Sequence, residues 1–199
     1  MILWVATRNR HKVEEIGGIL GPGYELKSLL DLPDFPEVEE DGATYRENAA
    51  KKARVLWERV KAPVFADDSG LEVDALGGRP GVHSMRYSAP DPTHAKNIEK
   101  LLGELQGVPL LQRTARFRCT LVHRDAEGNE QVFEGVVEGV IGFAVQGEGG
   151  FGFDPVFILP ERGLTVAQMS AEEKNQISHR GRAVLALRRH LEKNPPAAA

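Results

Sequence analysis

Residues 63 to 81 read PVFADDSGLEVDALGGRPG. Pro63-Val64-Phe65-Ala66 has the composition and length of a buried strand, and the residues that follow, Asp67-Asp68-Ser69-Gly70, all favour turns. The expectation is a strand that ends at Ala66 and delivers two adjacent carboxylates into a glycine-rich loop. Side chains at such an end are held by a sheet yet open to ligand. Neighbouring acids repel one another, so the pair has to sit in water, beside a cation, or with one acid protonated. Two readings stand at this point, an active site or a solvated acidic turn.

Outward from this stretch, composition limits the possibilities. With 199 residues, 41% hydrophobic and 27% charged, the chain has material for one sizeable domain. The net charge of -4 argues against a general nucleic-acid surface but permits a local basic pocket for a small anion. A single cysteine, Cys119, rules out an intramolecular disulfide and reads as packing in an alternating strand. The N-terminal run Met1 to Ala6 meets Arg8 and Arg10 at once and is too short for a signal peptide or membrane span. A cytoplasmic protein without a membrane partner is expected.

Upstream, Ile2 to Ala6 reads as a buried strand, and Val13, Ile16, Ile19 and Leu20 mark one face of a helix that Gly21-Pro22 ends. Thr7 and Asn9 therefore fall at a helix N-terminus, where free amides favour an anion, and Lys12 adds a full charge one turn in. The alternative is that Thr7 or Asn9 merely caps the helix. Residues 37 to 41, EVEED, are either a solvated acidic loop or a source of oxygen ligands for a hard cation. Thr44 to Glu47 forms a capping box that opens a helix to about Val60, with Ala49, Ala53, Leu56 and Val60 inward; which of Lys51, Lys52 and Arg54 faces a ligand is open.

Downstream, Leu71 to Val73 and Val82 to Tyr87 read as short strands. Asp91-Pro92 reads as the cap and first residue of a helix through Leu105. Thr114 to His123 alternates as a half-exposed strand, followed through a turn by strands at 131 to 137 and 140 to 145, an antiparallel meander. In GEGGFGFDP, residues 147 to 155, glycines allow close backbone approach while Phe151 and Phe153 stand beside Asp154, suited to stacking on a nucleobase or to pinning the loop into the core. Ser170 to Glu173 is a second capping box with Lys174 just inside its helix, and Ser178-His179-Arg180 opens the last helix, making a basic corner. The tail from residue 194 is expected to be disordered.

TRNRHK, EEDGATYRENA, ADDSGLEVDALGGRPGVHSMRYS, GGFGFDP and SHRG occur here in the order found in inosine and xanthosine triphosphate pyrophosphatases, and the chain resembles that family from Ala6 to about Leu187. The resemblance implies an α/β fold with a long central mixed sheet, flanking helices and two lobes around a deep cleft, formed by one domain over residues 1 to 193. It also implies a homodimer that, with Mg²⁺, converts non-canonical purine nucleoside triphosphates such as ITP, dITP and XTP to the monophosphate and pyrophosphate.

By motif position, the resemblance makes Asp68 the general base, Glu40 and Asp68 the metal partners with Asp67 a secondary candidate, and Thr7, Asn9, Lys12, Lys52, Ser69 and Lys174 the triphosphate site. Phe151 would stack on the base, with Gly152 and Phe153 beside it, and Asp154, His179 and Arg180 would read the base edge. Arg8, Met85 and Ala89 depart from the family pattern, which bears on substrate preference rather than reaction type. A modified-pyrimidine hydrolase and a non-catalytic nucleotide sensor are the competing readings; intact acids at both positions count against the second.

Overall fold

A computed structural model describes residues 1–194; the expected disorder of residues 195–199 lies outside the described residues. The elements, in order, are β1 (Ile2–Val5), α1 (Arg10–Leu20), β2 (Glu25–Ser28), α2 (Tyr45–Val60), β3 (Val64–Val73), α3 (His94–Glu104), β4 (Thr114–Arg124), β5 (Glu130–Ile141), β6 (Phe157–Leu159), β7 (Leu164–Thr165), α4 (Ala171–Ile177) and α5 (His179–Lys193). Together the strands form one seven-stranded sheet in the order β2-β1-β3-β4-β5-β6-β7. β1 pairs in parallel with β2 and β3, whereas β6 pairs antiparallel with β5 and β7, so the sheet is mixed as expected.

The chain divides into two compact units. One contains Met1–Asp68, Cys119–Gly135 and the segment from His179 onward; the other contains Ser69–Arg118 and Val136–Ser178. In the first unit the sheet is covered on both faces, as parallel pairing requires. Leu3, Val5, Phe65, Cys119 and Leu121 pack against Ile16, Ile19 and Leu20 of α1 and Ala183, Val184 and Leu187 of α5. Val64, Ala66 and Val122 turn the other way, onto Ala49, Ala53 and Leu56 of α2. In the second unit Leu71, Val73, Phe117 and Ile141 share a cluster with Leu101 and Leu105, Phe153 and Phe157.

Four sequence expectations are corrected. β3 does not stop at Ala66 but runs on through Asp67-Asp68-Ser69-Gly70 to Val73; tertiary partners described below neutralise charges that in isolation favour a turn. Residues Gly81–Arg86 form a 3-10 helix rather than a strand. There Ser84 Oγ donates to the Gly81 carbonyl at 2.6 Å and accepts from the Leu71 amide at 2.8 Å, and that local bond favours a tight turn. Thr93, not Asp91, caps α3 through its hydroxyl, while Asp91 pairs with Lys96 at 2.5 Å. Finally, the strands read at 131 to 137 and 140 to 145 are one strand, β5, which ends at Ile141 and leaves residues 142 to 145 outside the sheet. Gly139 lets β6 approach it closely, because a Cβ there would lie 2.5 Å from the Ile158 carbonyl oxygen.

Candidate active site

Adjacent residues of a strand point to opposite faces. Phe65 faces α1 and α5, so Asp67 faces them too; Ala66 faces α2, and so does Asp68. The two carboxylates that looked like a repelling pair are thereby separated, each with its own partners.

Asp67 lies in a cage of cations. Its Oδ2 accepts from Lys12 Nζ of α1 at 2.9 Å and from Arg180 Nε of α5 at 3.2 Å. Arg180 in turn donates through Nη1 to Glu15 Oε2 at 2.6 Å, so one buried guanidinium joins α5 to β3 and α1. Close packing of α5 on β5 makes this possible: a Cβ at Gly135 would lie 2.0 Å from the His179 carbonyl oxygen, and no other residue leaves that room. Burial pushes the Asp67 carboxyl up, but Lys12, Arg180 and Lys52 outweigh it and hold the group far below the usual carboxylate range. The same carboxylates hold the Arg180 guanidinium above its ordinary value in spite of its burial. Asp67 thus links β3 to α1 and α5 through Lys12 and Arg180.

Asp68 has a different setting. Its Oδ2 accepts from Asn48 Nδ2 at 2.9 Å, and its Oδ1 lies 4.0 Å from Lys52 Nζ. Asn48 and Lys52 are one helical turn apart on α2, which the Thr44/Glu47 capping box starts as expected, so both reach the same strand. Burial raises the Asp68 carboxyl above its usual range; the neighbouring Glu40 adds to the rise, and Lys52, Asn48 and Lys12 only partly offset it. Lys52 Nζ also donates to Glu40 Oε1 at 2.5 Å and to the Asp67 main-chain carbonyl at 2.8 Å. Burial alone would lower Lys52, but Glu40, Asp67 and Asp68 raise it above its ordinary value. Of the acidic loop, Glu40 is thus directed into the site, and Asp41 pairs outside it with Lys51 at 2.7 Å.

The α1 N-terminus completes this cluster. Asn9 caps the helix, its Oδ1 accepting from the Lys12 amide at 3.3 Å, and Thr7 Oγ1 accepts from the Asn9 amide at 3.1 Å. The capping alternative is therefore realised by Asn9, while Thr7 braces the Asn9 amide ahead of the helix. Ser69 follows Asp68 directly on β3. His179 is buried at the first position of α5.

A second cluster lies in the other unit. Asp154 Oδ2 accepts from the Phe151 amide and from Lys174 Nζ, both at 2.8 Å. Lys174 Nζ stands 4.6 Å from the centre of the Phe151 ring, inside cation–π range. Gly150 is left-handed at φ 71°, and a Cβ there would lie 2.2 Å from Asp154 Oδ2, so glycine is required where the loop folds over the carboxylate. Phe151 stays partly exposed beside Gly152, whereas Phe153 is buried in the core.

The structure thus sorts the expected site residues. It brings Lys12, Glu40, Lys52, Asp67 and Asp68 together. Arg180 joins Asp67 and Glu15 rather than Asp154, and Lys174 joins Phe151 and Asp154. With Lys12 and Arg180 both on Oδ2 of Asp67, that residue is the poorer place for a metal.

A family model for the Ham1 family matches residues 3–190, almost the whole described chain. The protein belongs to the Ham1 family. Among Ham1 relatives, a dITP/XTP pyrophosphatase of Geobacillus kaustophilus is 55% identical over 92% of this chain and 90% of its own. The dITP/XTP pyrophosphatase of Bacillus subtilis is 47% identical, over 94% and 96% respectively. The solved Staphylococcus aureus Ham1 protein matches the fold with a TM-score of 0.87 at 38% identity, covering 98% of this chain and all of that one.

Sequence reasoning did not single out Glu15, Asn48 or Gly135 in this Ham1 chain. Glu15 and Asn48 are polar residues buried on helices that also carry site lysines. Their spacing to those residues, Lys12 to Glu15 and Asn48 to Lys52, was the available signal. Nothing local marks Gly135, since its necessity arises from α5, far along the chain.

Proposed function

We propose that this protein hydrolyses non-canonical purine nucleoside triphosphates, dITP, ITP and XTP, to the nucleoside monophosphate and pyrophosphate, acting as a cytoplasmic homodimer. The observation that carries the proposal is the position of the Lys52 ammonium, between Glu40 at 2.5 Å and Asp68 at 4.0 Å. Two carboxylates there already enclose one positive charge. Mg²⁺ suits that donor set, since it takes one or two carboxylates and completes its shell with water and phosphate oxygens. When bound by Glu40 and Asp68, it supplies Lewis-acid neutralisation of charge on the polyphosphate.

The remaining roles belong to side chains. Asp68 accepts the proton of the attacking water, its carboxylate oriented by Asn48 on Oδ2 and turned toward Lys52 with Oδ1. Asp67, held ionised by Lys12 and Arg180, is unsuited to that task. Lys12, Lys52, Thr7, Asn9 and Ser69 receive the triphosphate, the two ammonium groups exchanging carboxylate oxygens for phosphate oxygens. Phe151 stacks on the base beside Gly152. Lys174 donates to the 6-keto oxygen of hypoxanthine or xanthine, where adenine carries an amino donor and is mispaired. This reading moves Lys174 from the phosphates to the base and Arg180 from the base to Asp67.

The test is the product released from dITP, ITP, XTP, dGTP and dATP, each with and without Mg²⁺. Pyrophosphate from the first three, dependent on Mg²⁺, is expected. Release of inorganic phosphate alone, or equal turnover of all five, overturns the proposal, and turnover confined to modified pyrimidine triphosphates favours the pyrimidine alternative.

A further inference from the structure

Asn48 is buried on α2, and both edges of its side-chain amide are used. Its Oδ1 accepts from the Gly42 main-chain N–H at 2.8 Å, and its Nδ2 donates to Asp68 Oδ2 at 2.9 Å. A main-chain N–H can only donate and a carboxylate oxygen readily accepts, so the amide has one consistent orientation. Gly42 stands two residues after Glu40, and it permits the approach: a Cβ there would lie 2.7 Å from Asn48 Oδ1. One amide therefore ties the loop that carries Glu40 to the strand that carries Asp68.

We propose that Asn48 is a positioning residue for Asp68. By occupying Oδ2 it leaves Oδ1 as the oxygen that faces Lys52 and the reacting water, and by holding Gly42 it sets the separation of Glu40 from Asp68. This rests on the assignment of Asp68 as the base. No other side chain of similar size does both tasks. Aspartate sets a second carboxylate against Asp68, glutamine adds a methylene to a filled site, and leucine leaves the Gly42 N–H and Asp68 Oδ2 without their partner.

The experiment is a double-mutant cycle on dITP hydrolysis with Asn48→Leu, Asp68→Asn and the combined variant, each checked for folding by urea denaturation. Asn48→Leu is expected to lower kcat about ten- to a hundredfold, as small displacements of reacting groups do. The KM for dITP should change less than about threefold, because Asn48 touches the base and not the substrate. In the Asp68→Asn background the same substitution should cost no further kcat, since a residue that acts through Asp68 has nothing left to position.

An equal loss in both backgrounds, or unchanged kcat in the single variant, overturns the inference while leaving the proposed function intact. Wild-type turnover by Asp68→Asn alone overturns the assignment of the base itself. If Asn48→Leu does not fold, Asn48→Asp and Asn48→Ser replace it in the same cycle, with the same loss confined to the Asp68 background expected.

Discussion

Arg180 and Asp67 meet at 3.2 Å with 2% of the arginine side chain and 1% of the aspartate side chain exposed. A buried pair of this kind adds little over a matched apolar contact, but removal of one partner strands the other. Arg180→Met should therefore destabilise the fold by about 3–5 kcal/mol, because it takes the guanidinium from Glu15 and Asp67 together. Urea denaturation checks this; an unchanged midpoint would mean that Lys12 neutralises Asp67 without help.

The two adjacent acids should respond differently to the same substitution. Asp68→Asn is expected to cut kcat on the order of a hundredfold or more while the melting temperature stays near wild type, because Asp68 is the proposed base and asparagine keeps an oxygen that can accept from Asn48. Asp67→Asn should lower stability as well as activity, since it uncovers Lys12 and Arg180 together. Paired measurements of kcat and melting temperature separate the two; identical profiles would contradict the assignment.

Base selection should reside in Lys174. Lys174→Met removes the donor beside Phe151 and should narrow the preference for ITP over ATP on the order of tenfold or more. The ratio of kcat/KM values for the two nucleotides decides it, and a constant ratio would move recognition elsewhere.

Acid should destabilise the fold through His123. This residue is buried on β4, and neither ring nitrogen has a hydrogen-bond partner among the described residues. Burial, helped by the neighbouring His190 and opposed by Asp125, lowers its pKa to about 4. The unfolded chain takes up the proton near an ordinary value of about 6.5, well before the folded one does. Stability is thus full above about pH 6.5 and falls as the pH drops toward 4, by about 2 kcal/mol at pH 5. Urea unfolding of wild type and His123→Phe at pH 7 and pH 5 measures the difference; the variant should lose that part of the pH dependence.

Much of this protein was legible from local rules. The capping boxes of α2 and α4, the Gly21 stop after α1 and the alternation of β4 follow from chemistry within a few residues. What failed was long-range. Asp67-Asp68-Ser69-Gly70 has turn composition, and only Lys12, Arg180, Asn48 and Lys52, brought from three helices, make a strand of it. Residue types in the site were recognisable, but their pairing was not: Lys174 and Arg180 are both basic groups near helix starts, and nothing in their neighbours says that one meets Asp154 and the other Asp67.

The alternation of β3 has a consequence for how this chain can vary. Which helices a carboxylate here meets depends on the parity of its position, odd toward α1 and α5, even toward α2. One residue inserted between Phe65 and Asp67 would turn Asp67 toward Asn48 on the α2 face and put Asp68 on the face of α1 and α5, but about 6.6 Å beyond the place where Arg180 meets a carboxylate. Two inserted residues would restore parity but carry both groups about 6.6 Å along the strand, past their partners. Changes of length are closed to this segment, and only exchange of one side chain for another remains.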